Sequence, residues 1–373
     1  RKGGLGSPYS IRDYRAVNPE YGTMDDFKAF VAAAHAQGFH VILDWVANHT
    51  AWDNPLVTEH PEWYDRDWDG DFRPTPWLDW SDIIDLDYDN AGLRQYMTEA
   101  MAFWVRDVGI DGFRCDVAGM VPVDFWNNVR AELDAIKPVF MLAEWQTPEL
   151  HRRAFDASYA WDWYNAMHDI AKGKADAGAM VGYYSGDATA WPHGAMRMLF
   201  TSNHDKNSWD GTEFEAFGPM LEATTVLSFV SDGIPLIYNG QEAGNERRLA
   251  FFERDPITWR DHPNGALYHR LIAFRKSHPA LDNGAWGASM VRVVNSAPSK
   301  VLSFVRALPA RDGQPGDKLL GLFNLSGEPQ TITLSDGPYA GRYTDMASGG
   351  TISVDATTTV TLPAWGWQVL TAQ

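Results

Sequence analysis

Apolar and polar positions fall into blocks of two alternating kinds through the first two thirds of the chain. Phe27, Phe30, Val31 and Ala34 recur at helical spacing, with Thr23 as N-cap, Asp26 three positions on, and Gly38 where the helix should end. An apolar run of strand length, His40 to Val46, follows directly. The alternation then repeats. Leu93, Tyr96, Met97, Ala100, Met101, Trp104 and Val105 mark a second amphipathic helix ending near Gly109, and Ile110 to Val117 and Val139 to Trp145 read as buried strands. Ala157 to Trp161, Met196 to Asn203 and Ile234 to Tyr238 are further strand candidates. Helix followed by short buried strand, repeated, predicts a parallel α/β fold. From about Trp286 the period changes. Val291 to Val293, Val301 to Val305, Leu319 to Asn324, Thr331 to Leu334, Thr351 to Val354 and Thr359 to Leu362 are short β-rich runs between turn residues. They predict an all-β sandwich over 284–373, behind an α/β domain over 1–283.

Charge and composition narrow the classes. Acidic residues outnumber basic ones 49 to 31, giving a net charge of -18. Such a surface repels phosphate backbones and argues against nucleic acid, whereas a neutral polymer such as a glucan feels no repulsion. Seventeen tryptophans could fill a large core, but flat aromatic faces also line clefts that stack on sugars, so their number favours a sugar-handling protein. Cys115 is the single cysteine, so no internal disulfide or CxxC motif exists. No run is long enough to span a membrane. The chain opens at Arg1 without a Met, which leaves its location open.

Charged residues stand where the strand candidates end: Asp44, Asp116, Glu144, Asp205 and Glu242. Function at the C-terminal ends of parallel strands belongs to a (β/α)8 TIM-type barrel. A doubly wound sheet would need a Gly-rich phosphate loop, and the sequence has none. Retaining glycoside hydrolysis needs two carboxyl groups roughly 5 Å apart, one nucleophile and one proton donor. Asp116 and Glu144 end strands one βαβ step apart, and Arg114, on the same strand face as Asp116, can hold that carboxylate ionised. Glu144 must stay protonated, which predicts a less polar setting beside Trp145.

Four segments carry a resemblance: D-W-V-A-N-H at Asp44–His49, G-F-R-C-D at Gly112–Asp116, A-E-W around Glu144, and N-H-D at Asn203–Asp205. Singly, each is also what a structural hydrogen-bond acceptor or core histidine looks like. In this order they resemble the α-amylase family of retaining glycoside hydrolases, over nearly the whole chain. The resemblance implies action on α-1,4-linked glucose polymers or maltooligosaccharides, with Asp116 as nucleophile, Glu144 as acid/base and Asp205 as transition-state stabiliser. It gives His49 and His204 hydrogen bonds to the sugar, Tyr9 a stacking face, and Asp44 the support of Arg114. Gln241 and Glu242 match a family segment, and Glu242 reads as structural. Hydrolysis and transglycosylation share this machinery, so a cyclomaltodextrinase or glucanotransferase is the alternative. A non-catalytic binding subunit is the reading from another class, and the presence of all three acids opposes it.

Departures from the family pattern are informative. Gly119 and Met120 replace a common Lys-His pair after the nucleophile. Gly6 stands where exo-acting relatives carry an Asp before the stacking tyrosine. The chemistry requires no cofactor; a structural calcium, if any, would use Asn48. The Asp65–Asp71 stretch resembles a calcium loop without its closing Glu, since Pro76 takes that place, and reads as a solvated acidic turn. The insertion after His49 is short, roughly forty residues. Six strand candidates also fall two short of a barrel. The resemblance therefore implies an upstream strand–helix–strand unit, with Asp44 closing the third barrel strand and an unpaired edge beside it.

Overall fold

A computed structural model describes residues 6–311 and 315–373. The chain packs as two compact units, the first running through Tyr159 and taking back Phe251–Glu253, the second comprising Ala160–Ala250 and Arg254–Gln373.

In the first unit, helix α1 (Met24–Ala36) opens with the expected reciprocal cap. Asp26 N donates to Thr23 Oγ1 at 3.2 Å and Thr23 N to Asp26 Oδ2 at 2.8 Å. Strand β1 (Ile42–Trp45) follows, then an antiparallel pair, β2 (His49–Ala51) and β3 (Ile83–Asp85), which frames the insertion and its short helix α2 (Leu56–Glu59). Helix α3 (Ala91–Phe103), β4 (Gly112–Cys115), α4 (Val123–Asp134), β5 (Phe140–Ala143) and β6 (Ala157–Tyr159) complete the alternation. The strands β1, β4, β5 and β6 are parallel neighbours in that order.

Register decides what meets at the strand ends. Asp44 pairs with Arg114, and Cys115 with both Trp45 and Ala143. The ladder runs one residue further, with Asp116 N on Trp45 O (2.9 Å) and Glu144 N on Cys115 O (3.0 Å). Beneath it, Phe113, Cys115, Met141, Leu93, Met97, Phe125 and Trp126 form a buried core from strands and helices together. The Cys115 thiol is fully buried and burial pushes its pKa up, so it packs as a small hydrophobe. The other edge of β1 carries no strand among the described residues. Phe30 and Phe39 on the adjoining helix and turn are 59% and 64% exposed.

In the second unit, α5 (Trp161–Ala171), α6 (Gly178–Ala190), β7 (Met196–Leu199), α7 (Glu213–Phe217), α8 (Leu221–Val230), β8 (Ile234–Pro235) and α9 (Pro263–Ser277) continue the α/β alternation, with β7 and β8 parallel. The period change near 284 falls inside this unit, after Leu281. Among the described residues nine strands follow: β9 (Met290–Arg292), β10 (Val294–Asn295), β11 (Val301–Leu308), β12 (Asp317–Asn324), β13 (Gln330–Asp336), β14 (Gly341–Asp345), β15 (Thr351–Val354), β16 (Thr359–Leu362) and β17 (Trp367–Ala372). They form two antiparallel sheets, β15-β14-β17-β12-β11-β9 and β10-β13-β16, with Val305, Leu320, Tyr343 and Leu370 packed against Ile332, Leu334 and Val360. Sequence periodicity misses β14 and β17. Arg342 and Thr344 interrupt the first, and Trp367 and Gln368 hide the second, although Val369 and Leu370 are buried in mid-sheet.

Candidate active site

The first unit gathers Asp44, Arg114, Asp116, Glu144 and Tyr9 at the C-terminal ends of β1, β4 and β5. Arg114 is 5% exposed. Its Nη1 donates to Asp44 Oδ1 and to Asp116 Oδ1, both at 2.7 Å, and its Nη2 lies 3.0 Å from Glu144 Oε2. One planar guanidinium thus touches all three carboxyl groups. Burial works against its charge, but Tyr159, Asp44, Glu144 and Asp116 outweigh burial and hold its pKa well above the ordinary value. Tyr9 caps the group. Its hydroxyl donates to Asp44 Oδ2 at 3.1 Å, and its ring lies 5.5 Å from the guanidinium and stacks on Phe251.

Two positioning residues in this cluster are missing from the sequence reading. Val117, directly after Asp116, has φ +36, a left-handed conformation that a β-branched residue adopts only under constraint. That turn aims its N–H at Glu144 Oε2, 2.9 Å away. Tyr159, ending β6, accepts from Arg114 Nε at 3.3 Å, and burial raises its pKa to about 12. Neither has a signature in sequence: Val117 looks like the end of an apolar strand and Tyr159 like a core aromatic.

Trp145 packs on the segment that follows Asp116. Its indole packs on Gly119, where an added Cβ would sit 2.1 Å from the ring. The ring therefore leaves no room for a side chain at Gly119, and Glu144 is contacted by Arg114 and by the Val117 amide. Gly6 is likewise fixed by its turn. It has φ +71, and a Cβ there would meet Ser10 Oγ at 2.6 Å.

His49 opens β2 and is buried. Desolvation lowers its pKa to about 4, so it is neutral near pH 7. The Tyr14 hydroxyl sits 2.9 Å from its carbonyl and the Trp80 ring is edge-on to its imidazole. Asn48 is buried beside it, with Nδ2 donating to Asp85 Oδ1 (2.7 Å) and Thr75 Oγ1 (2.8 Å). Thr75 Oγ1 also donates to Asp85 Oδ1 at 2.8 Å, so the three side chains are linked to one another. Among the described residues no group of three or more His, Cys, Asp or Glu could hold a metal. The Asp65–Asp71 turn closes on itself, Asp67 Oδ1 accepting from Asp69 N and Asp71 N.

In the second unit, His204 and Asp205 follow β7, with His204 Nε2 3.4 Å from Asp205 Oδ2. Asn203 Oδ1 accepts from Lys206 N at 2.8 Å and fixes the turn. Gln241 braces the same strand end, donating to Thr201 Oγ1 at 2.7 Å and to Glu213, whose pKa burial raises. Glu242 Oε2 accepts from Gly240 N at 3.0 Å, a local turn bond.

The model of the α-amylase catalytic domain matches residues 6–262. The chain is 30% identical to alpha-amylase MalA of Haloarcula japonica, over 94% of this chain and 53% of the relative. It is 26% identical to a cyclomaltodextrin glucanotransferase of Niallia circulans, over 96% of this chain and 56% of that one. The chain thus spans about half the length of the curated relatives it matches. Among solved structures, the maltogenic alpha-amylase AmyB of Thermotoga neapolitana superposes with a TM-score of 0.87 at 31% identity, covering 100% of this chain and 86% of that one.

Proposed function

The chain belongs to the α-amylase family, and on that footing we propose that it hydrolyses α-1,4-glucosidic bonds of starch-like glucans or maltooligosaccharides with retention of configuration. The observation that carries this reading is the single buried guanidinium at 2.7 Å from Asp116 and 3.0 Å from Glu144. Asp116, ionised against Arg114, attacks the anomeric carbon. Glu144 protonates the departing glycosidic oxygen. Arg114 and the Val117 N–H both address its Oε2 and so fix the orientation of the carboxyl group. The glycosyl ester on Asp116 is then opened by water, which Glu144 deprotonates. His49, neutral, hydrogen-bonds the sugar, and Tyr9 offers it a face. The N-H-D pattern assigns Asp205 to stabilising the oxocarbenium-like transition state and His204 to a sugar hydroxyl.

No cofactor enters these steps. We infer that the Asn48–Asp85–Thr75 hydrogen bonds hold the insertion without a metal. A second reading, transfer of the glycosyl group to a sugar acceptor, draws support from the likeness to a cyclomaltodextrin glucanotransferase.

A reducing-sugar assay on soluble starch, maltotriose and a cyclodextrin tests the proposal. New reducing ends from starch are expected. Disproportionation without reducing ends would favour transfer. No turnover of any glucan would leave only a binding role.

A further inference from the structure

Trp77 lies between β2 and β3 and combines two unfavourable features. Its φ of +68 is left-handed, and its side chain is completely exposed. Leu78 N donates to Thr75 O at 3.2 Å, closing a tight turn with Pro76 second and Trp77 third. A positive φ at the third position of such a turn is ordinarily supplied by glycine or asparagine. Neither burial nor backbone preference accounts for an indole there. Trp68 is nearly as exposed, at 94%, without this backbone conformation.

The turn is anchored on both sides. Thr75 Oγ1 donates to Asp85 Oδ1 at 2.8 Å. After the turn, Ser81 O accepts from Trp52 Nε1 at 3.1 Å, and Asp82 Oδ2 accepts from Ser7 N (2.7 Å) and Ser10 Oγ (2.6 Å). Between these anchors Trp80 lies with its ring centre 5.6 Å from that of His49. Trp77, three residues earlier, is within ~10 Å of chain from that contact. A rigid turn thus presents a flat apolar face to solvent near His49.

We propose that Trp77 is a stacking platform for a glucose unit of the substrate chain away from the bond being cleaved, giving the enzyme a preference for longer chains. Indole faces match the apolar face of a pyranose, and the anchored turn spares the cost of ordering the ring on binding. The proposal rests on the glucan reading above.

The test compares kcat/KM on maltoheptaose with that on maltotriose in Trp77→Ala, Trp77→Gly and Trp68→Ala. The ratio should fall about five- to tenfold in both Trp77 variants, while Trp77→Gly also melts higher because glycine relaxes the turn. Trp68→Ala should keep the wild-type ratio. An unchanged ratio in the Trp77 variants, or an equal fall in Trp68→Ala, overturns the platform while leaving the glucan reading intact. Wild-type protein that turns over neither sugar overturns the glucan reading and the platform together.

Discussion

Arg114 and Arg306 are both buried, at 5% and 1% exposure, yet the regions around them rest on different electrostatics. Arg114, in the first unit, faces the carboxyl groups of Asp44, Asp116 and Glu144 and is held charged by them. Arg306, in β11 of the second unit, donates instead to the backbone carbonyls of Ala288 (2.8 Å), Ser231 (2.8 Å) and Asp282 (2.9 Å), and burial lowers its pKa. It ties the β-sandwich to the segments after α8 and α9. One arginine organises the carboxyl groups proposed to react; the other satisfies carbonyls that would otherwise be orphaned. A buried ion cluster is a weak source of stability but a strong source of orientation, whereas a buried donor on carbonyls is mainly structural.

The sharpest break of this comparison is at the reacting groups. Asp116→Asn and Glu144→Gln are isosteric and should each lower activity by more than ~10³-fold. Circular dichroism should show both variants folded. Residual activity above about a tenth of wild type in either would remove that residue from its role.

Next come the arginines themselves. Arg114→Lys loses the planar fork, so activity should fall by about 100-fold with little change in melting temperature. Arg306→Met strands three carbonyls and should lower the melting temperature by roughly 5–10 °C, while kcat below the transition stays near wild type. Exchanged outcomes, with Arg306 governing kcat and Arg114 governing melting, would invert the comparison.

Some of this was legible in the chain and some was not. The capped helix at Thr23, the strand-end positions of Asp44, Asp116 and Glu144, and the change to short strands after Leu281 all follow from period, caps and polarity, which are local properties. Val117, Tyr159 and the packing of Trp145 on Gly119 depend on what a neighbouring strand brings up, and no local pattern encodes that. Trp77 shows the same limit. Pro76 is readable as a missing calcium ligand, but the positive φ after it becomes visible only in the folded turn.

Val117 offers a smaller test. Val117→Gly relieves the left-handed strain and should leave the melting temperature equal or higher. The amide holding Glu144 then loosens, and kcat should fall by roughly three- to tenfold. A gain in kcat would show that the strain is not used for positioning.

The smallest effect concerns Asp85, whose pKa is raised from 3.8 to about 6, chiefly by burial. The folded state then binds this proton more tightly than the unfolded state does. The group's contribution to stability is therefore full below about pH 4 and is lost as pH rises through about 6. Asp85→Asn removes that penalty, so its melting temperature relative to wild type should be more favourable at about pH 7.5 than at about pH 4.5. EDTA should leave wild-type melting within about 1 °C. A large drop reversed by calcium would show that Asn48 and Asp85 open to hold the ion.

In the proposed mechanism Asp116 forms a covalent bond to the sugar, and the anomer first released reports on that step directly. Two successive inversions return the starting configuration. Proton NMR during early turnover of a maltooligosaccharide, before mutarotation, should therefore show the α-anomer accumulating first. Initial accumulation of the β-anomer would mean that water attacks the glycosidic carbon itself and that Asp116 is not the nucleophile.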